Sequence, residues 1–258
     1  MAQHQRKPGE ARADGANPAF KWILIAVAVL GVAGIGYSVW NAKAGGGAVT
    51  GPVSIADMDP QAIARQAEPV RKGNPDAAVQ VVEFADFQCP GCAHFATNVG
   101  RPLRAAYVDN DMIGMAYYDY PIVSAHPHAF LAARAARCAG DQDKYWEMHD
   151  ILYARQQEWS LERTPPIDRY VGYAEAVGAD GAAFEDCLRS DRHADVVTAN
   201  ALLGEQLGVR STPTVFVNGR NVGDAWGDFN RMRALIDVAL AATAPAADDP
   251  AAPVPAGP

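Results

Sequence analysis

Basic runs, histidine clusters and internal repeats are missing from this sequence, and their absence narrows the classes of protein it can represent. The chain of 258 residues has 22 basic and 30 acidic side chains, a formal net charge of −8. Without a basic run, this charge argues against nucleic acid as a partner. The six histidines form no metal-like cluster along the chain, so we predict no metal site and no cofactor.

Charge is absent from residues 22–40, WILIAVAVLGVAGIGYSVW. A helix of this length, at about 1.5 Å per residue, nearly spans a hydrocarbon core of about 30 Å. Because basic residues precede the segment, we predict a membrane anchor with residues 1–21 in the cytoplasm and the rest of the chain outside. The alternative is a signal peptide cleaved after Ala44, which would leave a secreted or periplasmic protein. Both interpretations export the remainder to an oxidising compartment.

Cysteine is scarce, with four residues in the chain: Cys89, Cys92, Cys138 and Cys187. An even number in an exported protein suits disulfides, and four cysteines allow three pairings. The short spacing suggests a bond between Cys89 and Cys92, which leaves Cys138 for Cys187. A bond between the latter two would close a loop of about 50 residues, worth roughly 4 kcal/mol in the chain-entropy model. Two free buried thiols are the alternative.

The remaining pattern alternates strands and helices. Residues 79–87, 113–121 and 213–219 are typical of strands, and a block of amphipathic helices separates the second strand from the third. This order predicts a mixed α/β sheet interrupted by a helical insertion. The predicted segments are a linker at 41–66, a sheet domain at 67–125 and 206–242, a helical insertion at 126–205 and a disordered tail at 243–258.

Cys89 and Cys92 enclose Pro90 and Gly91 in the stretch EFADFQCPGCAHF, directly after a predicted strand. The thiolate is the reactive form of cysteine, and its pKa falls from about 8.5 to roughly 3.5–7.5 at a helix N-terminus. Pro90 favours the first turn of a helix, so we expect Cys89 to be an exposed thiol at the positive end of the helix dipole. Cys92 would be the more buried thiol that resolves a mixed disulfide.

Three other interpretations of this cysteine pair are open. A zinc site needs four ligands, and the sequence offers no second close pair of cysteines or histidines. Haem attachment requires a histidine directly after the second cysteine, whereas His94 comes one position later. A structural disulfide would close too short a loop to stabilise the fold much.

Glu83 and the Thr212-Pro213 dipeptide complete the candidate site. Glu83 stands in an apolar run, so burial would raise its pKa and let it exchange a proton with Cys92. A carboxylate on a solvated strand face is the alternative. Pro213 opens a predicted strand, where proline is unfavourable unless it ends a turn or follows a cis bond.

Among the histidines, we expect His126 and His128 at the surface and His149 packed within the helical insertion.

The sequence resembles the DsbA-like branch of the thioredoxin superfamily. The resemblance rests on VVEFADFQCPGCAHF, AARAARCAGDQDKYWEMHDILY, YAEAVGADGAAFEDCL and LGVRSTPTVFVNG, in the family's order and over roughly residues 70–240. It implies a thioredoxin fold with a helical domain inserted before the proline-bearing strand. It also implies roles for five residues: Cys89 attacks, Cys92 resolves, Glu83 is the buried acid, and Thr212 and Pro213 form a cis-proline loop that pairs with a bound substrate strand.

The family pattern also sets expectations about function. A membrane-tethered, extracytoplasmic enzyme would accept electrons from reduced cysteines of exported proteins and be reoxidised by a quinone-linked membrane partner. Strongly oxidising members often carry histidine where this chain has Gly91, so a reductase or isomerase is an alternative. A non-catalytic binding protein for unfolded exported chains is another. Some exported relatives also have a disulfide in the helical domain, as we expect for Cys138 and Cys187.

Overall fold

The structure, a computed structural model, describes residues 47–55 and 59–243. The predicted cytoplasmic segment 1–21, the predicted anchor 22–40 and the cleavage position after Ala44 lie outside the described residues, as do residues 244–258 of the predicted tail. Within the described ranges, no helix is both long enough and apolar enough to cross a bilayer.

A five-stranded mixed sheet forms the centre of the protein. Its spatial order is β1-β3-β2-β4-β5. β2 and β3 are parallel, and the other neighbours are antiparallel. The strands are β1 (Val70–Gly73), β2 (Gln80–Ala85), β3 (Gly114–Asp119), β4 (Thr214–Val217) and β5 (Arg220–Asn221).

Ten helical segments surround the sheet in the part of the chain that the structure describes. Helix α2 is a continuous stretch, residues 90–108, in which α-helical turns alternate with the π-helical turns Phe95–Gly100 and Arg104–Val108. The segments are α1 (Pro60–Gln66), α2 (90–108), α3 (Ala129–Gly140), α4 (Tyr145–Ala154), α5 (Gln156–Trp159), α6 (Ile167–Ala176), α7 (Gly181–Arg189), α8 (Ala194–Gln206), a 3₁₀ turn (Gly223–Gly227) and α9 (Phe229–Thr243).

The six helices from α3 to α8 lie between β3 and β4 in the chain, so they form the helical insertion that the element order predicts. A disulfide joins Cys138 on α3 to Cys187 on α7. Arg134 on α3 is fully buried, and its guanidinium donates to four backbone carbonyls, including those of Val49 and Ser190. A buried guanidinium is stable when its donors are satisfied in this way, so Arg134 holds the segment before α1 against the insertion.

Two apolar clusters form the core. One joins the end of β2 and the start of α2 to the insertion, and it includes Phe87, Cys92 and Tyr117. The other packs α2 and α9 against the sheet and includes Val81 and Met232. The turn between β2 and α2 is therefore fixed from both sides, and this turn carries the two closely spaced cysteines.

Candidate active site

Cys89 and Cys92 lie at the N-terminus of α2, directly after the turn that leaves β2. Cys89 is the N-cap residue, with Pro90 in the first helical position. Cys89 is partly exposed, whereas the side chain of Cys92 is completely buried, and both are free thiols in this structure. A reagent in solution can therefore reach Cys89 but not Cys92.

The pKa of Cys89 is lowered to about 5 from an ordinary value of 9.0. The main cause is a hydrogen bond from the Cys92 thiol, assisted by the Thr212 side chain and by the backbone N–H groups of Cys92 and Gly91. Partial burial opposes these effects. Donors at a helix N-terminus favour an anion, so Cys89 is a thiolate at neutral pH.

Cys92 shows the opposite behaviour. Burial raises its pKa well above the ordinary value, and its hydrogen bond to Cys89 and the negative charges of Cys89 and Glu83 raise it further. The backbone N–H of Asp86 donates to the Cys92 sulfur at 3.5 Å, which opposes the increase. The two thiols are thus separated into an anion at the surface and a neutral thiol beneath it.

The Thr212–Pro213 peptide bond is cis and lies beside Cys89. The Cys89 thiol, when protonated, donates to the Thr212 carbonyl at 3.4 Å. The Thr212 hydroxyl is buried and has no hydrogen-bond partner among the described residues. It therefore remains available to donate to the sulfur once that sulfur is a thiolate, in agreement with the lowered pKa of Cys89.

Glu83 lies in the middle of β2 and is 1% exposed. Burial raises its pKa from 4.5 to about 8, and the positive charge of Arg104 reduces the increase. The alternative interpretation, a carboxylate on a solvated strand face, is therefore wrong. Its charge acts on Cys92, so a group that titrates near neutral pH lies in the electrostatic range of the buried thiol.

Gly91 leaves room for the ring of Trp226, a residue for which the sequence gives no local signal. A Cβ atom at position 91 would lie 3.3 Å from the Cδ atom of Pro213 and 3.4 Å from the ring of Trp226. Trp226 belongs to the 3₁₀ turn, and that turn is held by a contact of 3.0 Å between His94 Nε2 and the Gly227 carbonyl. No local pattern in the sequence pointed to Trp226, because it is more than 130 positions from Gly91.

Asp86 was also missed, although an acid between Ala85 and Phe87 was a signal for a buried role. Its carboxylate accepts from the backbone N–H groups of Gln88 and Ile122 and lies 2.8 Å from His126 Nδ1. These contacts tie the cysteine turn to the loop after β3. Gln156 on α5 supports the same turn by donating to the carbonyls of Phe87 and Cys89.

The histidine predictions have mixed outcomes. His128 is buried, and its backbone N–H donates to the Gln88 side chain, so the surface prediction is wrong for this residue. His126 is partly buried by its contact with Asp86. His149 packs within the insertion as predicted, among Phe87 and several tyrosines, and burial lowers its pKa.

The described residues contain one cluster with metal-ligand geometry, formed by Cys138, Cys187 and His193. Its two cysteines are bonded to each other. A metal site requires thiolates, so this cluster does not fit a metal ion.

A family model described as "Thioredoxin" matches residues 65–238. Similar solved structures include oxidised BdbD from Bacillus subtilis, with a TM-score of 0.60 and 22% identity, covering 76% of this chain and 99% of that chain. The alpha-DsbA1 protein of Wolbachia pipientis has a TM-score of 0.60 and 19% identity, covering 68% and 92%. MdbA of Corynebacterium diphtheriae, a thiol-disulfide oxidoreductase, has a TM-score of 0.53 and 20% identity, covering 65% and 85%.

Sequence relatives add a different context. The Na(+)/H(+) antiporter NhaA 1 of Salinispora arenicola is 37% identical over 173 residues, which are 67% of this chain and 25% of the antiporter. The chain thus spans about a quarter of the length of that relative. The match concerns a portion the size of the sheet domain with its insertion, and it carries no antiporter activity to this chain.

Proposed function

The chain belongs to the thioredoxin family and has the fold of the DsbA proteins, and from that premise we propose that it is a thiol–disulfide oxidoreductase that introduces disulfides into exported proteins. One observation carries the proposal: the partly exposed Cys89 caps the N-terminus of α2 and the completely buried Cys92 follows it one turn later, an arrangement that lowers the pKa of Cys89 and raises the pKa of Cys92. Nucleophile and resolving thiol need these two environments.

The reaction proceeds through a mixed disulfide. A substrate thiolate attacks the Cys89 sulfur of the oxidised pair, and the bond to Cys92 breaks. Cys92 keeps the electron pair of that bond and takes a proton from Glu83. A second substrate thiolate then attacks the substrate sulfur, and Cys89 leaves as a thiolate. The substrate gains a disulfide and loses two electrons, which the Cys89 and Cys92 pair now holds.

The stabilised thiolate supports the oxidising direction. Contacts that favour the reduced form of Cys89 make the corresponding disulfide easier to reduce and therefore a stronger oxidant. Gly91 supports a weaker oxidant, because it provides no imidazole beside the thiolate. A reductase or isomerase is accordingly the second candidate function. It would use the same thiol–disulfide exchange steps as the oxidase, and a reductase would run them in the opposite direction.

An extracytoplasmic location is part of the proposal. The charge-free segment 22–40 and the basic residues before it support an anchor with the cysteines outside. The Cys138–Cys187 bond supports the same location, because disulfides persist in oxidising compartments. Reoxidation would then require a quinone-linked membrane partner, an expectation that comes from the family.

Cys92→Ser tests the assignment of roles. Without Cys92, no thiol within the site can attack the Cys89 sulfur of a mixed disulfide and displace the partner, so we expect covalent adducts with exported, cysteine-containing proteins to accumulate. They would appear on non-reducing gels and disappear with dithiothreitol. Cys89→Ser/Cys92→Ser is the matched control and should trap nothing. Equal recovery of partners by both variants would contradict the enzyme and support the non-catalytic binding protein.

The direction of electron flow is tested by the redox state of the pair in cells. Alkylation after acid quenching separates the thiol and disulfide forms by mass. We expect the Cys89–Cys92 pair to be mainly oxidised at steady state. A mainly reduced pair would favour the reductase or isomerase.

A further inference from the structure

Five buried polar atoms belong to Glu83, to Tyr145 in the lining of an open cavity near β1, and to three residues that contact this lining. None of them has a hydrogen-bond partner among the described residues. An unpartnered buried polar atom is unfavourable, so a group of them in one region calls for an explanation. The atoms are Glu83 Oε1, Asp119 Oδ1, Tyr145 OH, His149 Nε2 and Asn200 Oδ1.

The register of the sheet places two members of this group, Glu83 and Asp119, on one face beside Tyr117, whose hydroxyl is hydrogen-bonded to that of Tyr153. Glu83 on β2 is the direct partner of Tyr117 on β3. Side chains two residues apart on a strand point to the same face, so Asp119 follows Tyr117 on the face that carries Glu83. All three side chains are buried. A row of polar groups therefore runs along one face of the two central strands.

Tyr145 and Arg137 extend this row towards the surface, although the Tyr145 hydroxyl itself is buried. The ring of Tyr145 lies 6.2 Å from that of Tyr117, and Arg137 Nε donates to Asp119 at 2.6 Å. Tyr145 and Arg137 both line an open cavity of about 760 Å³. The cavity is also lined by Arg65, Glu68, Arg71 and His193. It is bordered by β1, at the edge of the sheet away from the strand that follows Pro213.

Electrostatic coupling links Tyr145 to both ends of the row. Burial raises the pKa of Tyr145 well above its ordinary value, the charges of Asp119 and Glu83 raise it further, and Arg137 opposes the increase. Tyr170 is a useful comparison, because its hydroxyl is also fully buried and without a partner in the described structure. The charges that act on Tyr170 come from Tyr173, Glu162 and Asp86 rather than from Glu83.

We propose that Tyr145, joined to Glu83 and to this cavity by buried water that pairs with the unpartnered atoms, relays protons between the acid and solvent. The relay rests on the proposed function, in which Glu83 gives or takes one proton per cycle although it is 1% exposed. A substrate bonded to Cys89 covers the thiol side of the site, so the acid needs a second route to solvent. When Cys92 attacks a mixed disulfide, its proton passes to the carboxylate of Glu83. Tyr145 accepts a proton on this side and releases its own towards the cavity, so Glu83 returns to the carboxylate and can take the next proton.

Oxidised glutathione is a probe that separates the steps. The thiolate of reduced Cys89 attacks it, releases one glutathione and forms a mixed disulfide. Cys92 then attacks the Cys89 sulfur and releases the second glutathione. The first phase needs no proton from the core, whereas the second requires Cys92 to lose one. Rapid quenching with acid and mass analysis gives both rates for the full-length protein.

We expect Tyr145→Phe to slow the second phase by about tenfold or more, a part of the roughly 10²–10⁴-fold contribution of positioned proton transfer. The first phase should not change, and the solvent deuterium isotope effect on the second should change. Tyr170→Phe, which also removes a buried unpartnered hydroxyl, should leave both phases as in the wild type. In a Glu83→Gln background, Tyr145→Phe should have no further effect, because the relay acts through Glu83.

Three outcomes would overturn the relay: an unchanged second phase in Tyr145→Phe, equal slowing by the two tyrosine variants, or full additivity with Glu83→Gln. A wild-type protein that shows neither phase would contradict the proposed function itself and the relay with it. A wild type with both phases and an unaffected Tyr145→Phe would contradict the relay alone. Folding is checked in each variant by its thermal midpoint, which loss of an unpartnered hydroxyl should not lower.

Discussion

The surroundings of three ionisable groups in the site shift their pKa values in different directions. Cys89 receives hydrogen bonds at a helix N-terminus and has a pKa of about 5, while burial and negative neighbours raise the pKa of Cys92. Glu83 is buried, with a pKa of about 8. Near neutral pH the thiolate can attack while the acid exchanges protons with Cys92, so one arrangement of side chains serves both steps of disulfide exchange.

Burial of Glu83 should make stability depend on pH. Its pKa in the folded protein, about 8, exceeds the ordinary 4.5, so full stability is present below pH 4.5 and is lost as pH rises towards 8. Glu83→Gln cannot ionise and avoids this loss. We expect its advantage in unfolding free energy to grow between pH 4.5 and 8 by a few kcal/mol, at most about 5.

Urea unfolding of the reduced proteins across this pH range measures the difference. Glu147→Gln, at an exposed position on α4, is the matched control and should follow the wild type at every pH. A constant offset between Glu83→Gln and the wild type would show that Glu83 ionises normally in the folded protein.

Individual residues were predictable from sequence when their neighbours along the chain define their surroundings. Glu83 is flanked by apolar residues, so its burial could be anticipated. Cys89 precedes Pro90, so its place at a helix start could be anticipated as well. Trp226 and Asp86 act through partners that are distant in sequence, such as Gly91 and His126. Burial of His128 likewise depends on Gln88, forty positions away.

At the level of elements, the 3₁₀ turn Gly223–Gly227 determines what the cysteine motif can contain. It places Trp226 and, through the bond to His94, holds the start of α2. Protein interiors are close-packed, and added atoms force neighbours to move. Position 91 therefore has no side chain because the indole ring of Trp226 occupies the space beside it.

A double-mutant cycle can test this match. Gly91→His should destabilise the protein because the new Cβ meets Pro213 and Trp226 at 3.3–3.4 Å. In a Trp226→Ala background the same change should cost less, with a coupling energy of about 1 kcal/mol. The imidazole would then stabilise the thiolate, so the double variant should have a more positive reduction potential than Trp226→Ala.

Unfolding in urea gives the coupling energy, and equilibration with glutathione gives the potential. Gly172→His is the control, since a Cβ at this α6 position meets no atom within 4 Å. Identical costs of Gly91→His in the two backgrounds would show that Trp226 and Gly91 are independent.

The strands that could be predicted are those with a clear run of apolar and β-branched residues. The central strands β2 and β3 and the following β4 lie within the predicted runs 79–87, 113–121 and 213–219. β1 contains Arg71, Lys72 and Gly73, and its sequence is typical of a turn. It is a strand because it pairs with β3. β5 has two exposed residues after an Asn-Gly turn, too few for a periodic pattern, so both edge strands depend on tertiary pairing.

Across the whole molecule, the helical insertion and the cysteine turn share one apolar cluster. Cys92 and Phe87 from the site belong to the same cluster as Cys138, Cys187 and Trp159 from the insertion. Shared burial couples the stability of two regions, because neither can expose its apolar side chains alone. The burial that keeps Cys92 protonated thus depends on the integrity of the insertion, although the insertion contributes neither of the two reactive thiols.

Removal of the structural disulfide should reveal this dependence. The Cys138–Cys187 bond spans 49 residues, so Cys138→Ala/Cys187→Ala should lower the unfolding free energy by about 4 kcal/mol through loop-closure entropy. Cys89→Ala/Cys92→Ala removes a pair with two intervening residues and should have a much smaller effect. Because the cluster is shared, loss of the Cys138–Cys187 bond should also increase the rate at which Cys92 reacts with iodoacetamide. Mass spectrometry after Cys89 is blocked measures this rate. If the unfolding free energy falls while Cys92 remains as protected as in the wild type, the insertion and the site unfold separately.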